Sequence, residues 1–276
     1  MKYEEVQRVS TGVPGLDKML DGGLLPGRPY VVSGTTGSGK TILCVQFLTQ
    51  GVKQGERALL VAIDEPPAEI RENVRAMGWD VGKIRILDVH PAAKAYSKRV
   101  SLVEVAAQRS VGALMEAGAD AKAEAMKKAS PEISIQSLQL MLKQELQEVK
   151  YSRLVIDSLT SLKKLSEMME DTDTSILSLL RFLSESSLTS MIVTDLPDPT
   201  RLEPEIFICR GEIRLHKRMV GGMIDRCITV EKLRGSDHDT LPRPMQITET
   251  GVIVESGKKI PKASLRELQA FTQYAR

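Results

Sequence analysis

Short apolar runs separated by stretches of helical periodicity set the rhythm of this chain. Pro29-Tyr30-Val31-Val32-Ser33, Arg57 to Ile63, Arg153 to Ile156 and Ser190 to Thr194 are continuous or nearly continuous apolar segments of strand length. That is the pattern of strands buried on both faces of a parallel sheet. Ile84 to Val89 is a further strand candidate. Between these segments, Thr41 to Gln50 carries Ile42, Val45 and Leu48 at helical spacing, and Ala68 to Met77 predicts a helix stopped by Gly78. Ile135, Leu138, Leu142, Leu146 and Val149 make one apolar stripe along Ser134 to Lys150, and Thr174 to Ser186 predicts another helix. The alternation predicts an α/β fold: a mainly parallel twisted sheet, flanked by helices and joined by right-handed crossovers.

The rhythm breaks in three places. Thr11 to Asp17 and Asp21 to Gly27 are dense in Gly and Pro and predict two turns around a short amphipathic piece. Ala92 to Ala129 is rich in Ala, Lys and Glu and only weakly amphipathic, which predicts a solvated helical insertion. Near the end, Glu212 to Lys217 and Met223 to Leu233 flank Gly221-Gly222, so a β-hairpin with a primed turn is expected, followed by short strands near Gln246 to Thr248 and Val252 to Val254. One domain over 1–260, with the insertion at about 92–129, accounts for this order. A terminal helix or tail is expected over 261–276, beginning after Pro261.

Composition adds little to this picture. The 276 residues are 42% hydrophobic, and Lys+Arg 38 against Asp+Glu 36 leaves a net charge of +2. A chain of this size buries enough surface to hold a core without disulfides or metal. Its near-neutral charge predicts neither nucleic-acid nor anionic-membrane binding. Cys44, Cys209 and Cys227 lie far apart among apolar residues and read as reduced core residues. The charged start, Met1 to Glu5, and the lack of a 20-residue apolar run point to a cytoplasmic protein without membrane insertion. His90, His216 and His238 have no clustered metal ligands and read as surface or loop histidines.

Gly34-Thr35-Thr36-Gly37-Ser38-Gly39-Lys40-Thr41 fits G-x-x-x-x-G-K-[ST] at every fixed position. Glycines let the backbone close around phosphate oxygens, and the following helix adds its positive end. Lys40 would then reach the β- and γ-phosphates, and the Thr41 hydroxyl would hold Mg2+. Asp157 closes an apolar strand at the edge where ligands bind in open α/β sheets, which suits a second, water-mediated magnesium ligand. Asp64-Glu65 closes another strand in the same way, so either carboxylate could orient or deprotonate an attacking water. Spacing does not choose between them. Lys232 and Arg234 share one face of the hairpin's end, where cations could neutralise a neighbouring subunit's phosphates.

With those residues in view, the chain resembles the KaiC and RadA branch of RecA-like ATPases, and the single KaiC domain in particular. The likeness runs through Thr11 to Asp17, Gly22-Gly23, the loop from Gly34 to Thr41, Gly78-Trp79-Asp80, Ile156-Asp157-Ser158, Lys232-Leu233-Arg234-Gly235-Ser236 with His238, Ile247-Thr248 and Gly251-Val252. It implies a RecA-type core and a ring, usually hexameric, with ATP between subunits. Lys232 and Arg234 would then be the residues that sense a neighbour's γ-phosphate, while Leu233, Ser236 and His238 border nucleotide across the interface. The family's catalytic carboxylate pair falls on Asp64-Glu65. Four departures stand out. Asp64 occupies a position where the family has glutamate, so turnover is expected to be slow; the chain has one domain where the clock proteins have two. Ile206-Phe207 replaces the adjacent Ser and Thr phosphorylation sites, so autokinase activity is not expected, and the stretch before Ser134 is longer than usual.

The leading expectation is a Mg-ATP-binding, slowly hydrolysing ATPase that assembles as a homo-oligomer and regulates an unidentified protein partner. Two alternatives stay open. A recombinase paralog acting on DNA is the first, with Arg214, Lys217, Arg218 and Arg226 as a basic patch, although the Pro-rich, mildly acidic Leu196 to Glu205 disfavours it. The second is a nucleotide-gated scaffold that binds ATP without turning it over.

Overall fold

The computed structural model describes residues 7–89, 133–166, 171–196 and 203–261. The expected insertion at about 92–129, the terminal helix beyond Pro261 and His90 therefore lie outside the described residues.

Among the described residues a nine-stranded sheet runs in the order β3-β2-β4-β5-β1-β6-β7-β8-β9. The strands are β1 (Pro29–Gly34), β2 (Ala58–Ala62), β3 (Ile84–Asp88), β4 (Arg153–Asp157), β5 (Thr189–Thr194), β6 (Gly211–Val220), β7 (Met223–Leu233), β8 (Arg243–Thr248) and β9 (Gly251–Val254). From β3 to β6 all pairings are parallel; β6 to β9 are antiparallel. Every residue of β1, β2 and β5 is buried, which is why their sequences read as unbroken apolar runs. Successive residues serve opposite faces: Tyr30, Val32 and Leu60 join one core, while Val31, Leu59 and Val61 join the other.

Helices cover both cores. On the first face lie α1 (Pro14–Met19), α2 (Lys40–Lys53) and α3 (Pro67–Arg75); on the second lie α4 (Ile135–Glu148), α5 (Leu159–Ser166) and α6 (Thr172–Glu185). The short α7 (Pro204–Ile208) precedes β6. Ser134 caps α4 through a reciprocal pair of hydrogen bonds with Ser137, so the helix begins where the apolar stripe predicts. The expected hairpin is present, with Gly221 and Gly222 both at positive φ as a type I′ turn demands.

Arg153 ties the layers together at the amino end of β4. Its guanidinium is 1% exposed, pairs with Glu56 at 2.5 Å, donates to Ser10 O at 2.7 Å and Phe47 O at 2.8 Å, and lies over the Phe47 ring. Burial of all three cysteines agrees with the sequence reading. His216 does not: it sits within β6, half-buried, with Nε2 2.9 Å from Thr229 Oγ1, because antiparallel pairing with β7 turns that face inward. No helix of the described residues is long and apolar enough to cross a membrane.

Candidate functional site

The register of the parallel strands brings their carboxyl ends into line. Ser33 pairs with Thr194, and Ala62 with Asp157, so the segments that follow β1, β2, β4 and β5 converge on one edge. There Gly34 ends β1 and Lys40 opens α2, with Gly39 at φ 108 as the helix N-cap. A side chain at Gly39 would begin 2.8 Å from Ile247 Cδ1, and one at Gly37, at φ 74, would meet Lys217 Nζ at 2.9 Å. Only glycine lets this loop curl so tightly. The unpaired N–H groups of the first turn of α2 face the hollow it encloses. Ser38 Oγ is buried beside it without a hydrogen-bond partner among the described residues.

Lys40 folds back over the loop. Its ammonium donates to Gly34 O at 2.6 Å, to Thr35 O at 3.3 Å and to Asp195 Oδ1 at 3.3 Å. Around it a cavity of about 630 Å³ is lined by Thr41, Asp64, Glu65, Asp157, Ser158 and Asp195, among others. Asp157 closes β4 as expected. Burial pushes its carboxyl up to about 6; the Thr41 hydroxyl and Lys40 oppose the shift, while Asp64 and Glu65 reinforce it. Asp64 accepts a hydrogen bond from Ser158 Oγ at 2.7 Å, whereas Glu65 has only a long contact with Asn73 at 3.5 Å. The far wall is apolar, made by Ile70 and Val74 of α3 and Met77 just beyond it, with Ile247 of β8.

Not every expected residue comes to this cavity. Arg234 N–H donates to Arg210 O at 2.9 Å, and Arg210 N–H to Pro29 O at 2.8 Å, which sets Arg234 beside the amino end of β1. Gly34 is five residues further along the strand, roughly 16 Å at ~3.3 Å per residue. Lys232 Nζ donates to Ile206 O, and Arg234 Nη2 to Phe207 O at 2.9 Å. Burial and the adjacent Arg234 lower the Lys232 ammonium from its ordinary value. Leu233 is buried, Ser236 Oγ donates to Asp237 O at 3.0 Å, and the His238 N–H donates to Asp237 Oδ1 at 2.9 Å. Lys232, Leu233 and Arg234 thus lie at one end of the hairpin, away from the chain's own Gly34–Thr41 loop, and Ser236 and His238 follow β7.

Hairpin cations read as a basic patch do reach that loop. Lys217 Nζ donates to Thr36 O at 3.2 Å and Arg226 Nη2 to Gly37 O at 3.4 Å. Arg214 pairs with Glu212 at 2.7 Å, and Arg218 with Asp225 at 2.9 Å.

A family model described as "ATPase: KaiC" matches residues 9–259. The chain belongs to the KaiC family of ATPases. Among its relatives, UPF0273 protein PH0284 of Pyrococcus horikoshii is 30% identical over 274 residues, 95% of this chain and 99% of that one. The circadian clock oscillator protein KaiC of Parathermosynechococcus lividus is 27% identical over 258 residues, which is 90% of this chain but 42% of the clock protein. In three dimensions, the crystal structure of the KaiC-like protein PH0186 from Pyrococcus horikoshii OT3 superposes with a TM-score of 0.68 at 23% identity, over 90% of this chain and 99% of that one. That likeness shows the fold, a RecA-like α/β core. KaiC membership makes the chain, at a coarse level, a nucleotide-binding ATPase.

Several cavity residues are given no role by the sequence alone. Asp195 follows the apolar run of β5 as Asp157 follows that of β4, so the same signal could have found it. Ser158 was visible only as part of a motif. Ile247, like Ser158, was visible only as part of a motif, and Ile70, Val74 and Met77 carry no mark of a site; their place depends on long-range packing.

Proposed function

We propose that this KaiC-family chain binds Mg-ATP in the cavity beside Gly34–Thr41 and hydrolyses it slowly, with Glu65 serving the attacking water. The observation that carries the reading is the convergence of Lys40, Thr41, Asp157, Asp64 and Glu65 on one cavity next to the loop. Phosphates would lie against the loop amides and Lys40, and the base would lie against Ile70, Val74, Met77 and Ile247. Water attacks the γ-phosphorus, the bond to the β–γ bridging oxygen breaks, and the water's proton passes to the Glu65 carboxylate. Asp64 is engaged by Ser158, so Glu65 is the less encumbered acid.

Thr41 and Asp157 fit a magnesium ion. Both offer hard oxygen atoms at the cavity, and the Asp157 carboxylate lies within hydrogen-bonding reach of the Thr41 hydroxyl. Among the described residues no group of three or more His, Cys, Asp or Glu could hold an ion alone, so phosphate and water would complete the shell, as magnesium prefers. Bound there, the ion would neutralise phosphate charge and orient the terminal phosphate.

Lys232 and Arg234 complete the site of a neighbouring copy, which makes the working unit a homo-oligomeric ring. Their distance from the chain's own loop supports this assignment, as does the lowered Lys232 ammonium. Leu233, Ser236 and His238 border the same junction. The product is a nucleotide-timed assembly that regulates a protein partner. The DNA reading loses support because Arg214, Lys217, Arg218 and Arg226 all have protein partners.

Light scattering with parallel phosphate release tests the proposal, on wild type and Lys40→Ala, with and without Mg-ATP. Larger assemblies and phosphate in wild type alone are expected. Assembly without phosphate would instead favour the nucleotide-gated scaffold.

A further inference from the structure

We infer that Lys163, which lies outside the ATP cavity, positions the Lys232 and Arg234 that this chain offers to its neighbour. The inference rests on the reading that those two cations complete a site in trans, and names the residue that holds their support in place.

Both cations are held by the backbone of α7. Lys232 Nζ donates to Ile206 O, and Arg234 Nη2 donates to Phe207 O at 2.9 Å, with its guanidinium 5.7 Å from the Phe207 ring. Where α7 sits therefore sets where both cations point. The helix is only five residues long, and its N-cap, Glu203, makes no side-chain capping bond. Ile206 and Ile208 pack against the second core, but apolar contact is non-directional and does not by itself fix the helix.

Lys163 of α5 supplies the directional hold. Its ammonium donates to Glu203 Oε2 at 2.5 Å and to Glu205 Oε1 at 2.7 Å. The Glu205 side chain is 1% exposed, and its Oε2 has no hydrogen-bond partner among the described residues. A carboxylate buried so far is costly unless paired, so Lys163 keeps Glu205 in place and α7 with it. The other end of α5 meets the cavity, which Ser158 and Ser161 line. Lys163 thus stands between two sites, two residues past Ser161, and both of its carboxylate partners lie on the α7 side. That assigns it to the cations given away, not to the cavity beside it.

Mixing experiments separate the two roles. Lys163→Met is expected to bind a non-hydrolysable Mg-ATP analogue like wild type and to release phosphate about 10- to 100-fold more slowly at saturating Mg-ATP, the scale of a roughly 1 Å misplacement. Its own cavity stays sound, so Glu65→Gln chains, whose cations are intact, should restore part of the release when mixed with it. Arg234→Ala chains should not, because neither variant then offers well-placed cations. Recovery with Arg234→Ala, recovery with neither, or undiminished release by Lys163→Met alone overturns the inference. If Lys163→Met fails to fold, the Lys163→Met/Glu205→Gln double variant, which leaves no lone buried carboxylate at Glu205, takes its place in the same mixtures. Arg234→Ala that by itself releases phosphate like wild type overturns the reading beneath instead.

Discussion

Ser158 Oγ donates to Asp64 Oδ2 at 2.7 Å, joining the first residue after β4 to the second after β2. The bond consumes part of the acceptor capacity of one member of the acidic pair and leaves Glu65 facing the cavity with a weak partner. Glu65→Gln is therefore expected to cut phosphate release by 100-fold or more, within the roughly 10²–10⁴ span of a lost general base, while nucleotide binding survives. Asp64→Asn should cost less than about tenfold. Equal losses in single-turnover phosphate assays of the two variants would reverse the assignment.

Lys232 and Arg234 give a prediction that single-site logic cannot mimic. Arg234→Ala should bind nucleotide but release little phosphate, because it withholds a cation from its neighbour. Lys40→Ala should bind poorly. Mixing the two inactive variants creates junctions with an intact Lys40 on one side and an intact Arg234 on the other, so a partial return of phosphate release is expected, approaching about a quarter of wild type for random pairing. No recovery at any mixing ratio would mean that the sites work within single chains.

The β6 histidine provides a pH test. Burial lowers the His216 imidazole from 6.5 to about 4; Glu231 opposes the shift, and Arg214 and Arg218 reinforce it. An unfolded chain takes up this proton near 6.5 and the folded chain only near 4, so stability present above 6.5 is lost as pH falls through that window. The full difference is on the order of 3 kcal/mol. Asp157 acts in the opposite sense: its raised value means stability is lost as pH rises from about 4 toward 6. Comparing urea midpoints of His216→Gln and wild type between pH 4.5 and 7 isolates the histidine. The variant should have the flatter curve; parallel curves would show that His216 ionises alike in both states.

Arg153 is the stability counterpart. Arg153→Met removes the partner of Glu56 and strips donors from Ser10 O and Phe47 O. Breaking such a buried pair costs about 3–5 kcal/mol, and partial exposure of Glu56 places this case toward the lower end. Chemical denaturation should show the loss, with nucleotide affinity of the folded fraction unchanged because the residue sits at the opposite end of β4 from Asp157.

What the sequence determined by itself was whatever is local or periodic. Strands buried on both faces must be apolar throughout, so β1, β2, β4 and β5 stand out in the chain; the loop from Gly34 to Thr41 announces itself because its geometry needs glycine at fixed steps. Asp157, Asp64 and Glu65 were legible because a carboxylate at the end of an apolar run is costly unless it faces a site. Tertiary structure alone decided the rest. Strand order and register brought Asp195 to Lys40 and Ser158 to Asp64, and antiparallel pairing carried Lys217 and Arg226 to the loop while leaving Lys232 and Arg234 at the far end. Those partners are separated by up to 189 positions, and no local preference records which distant strand lies alongside.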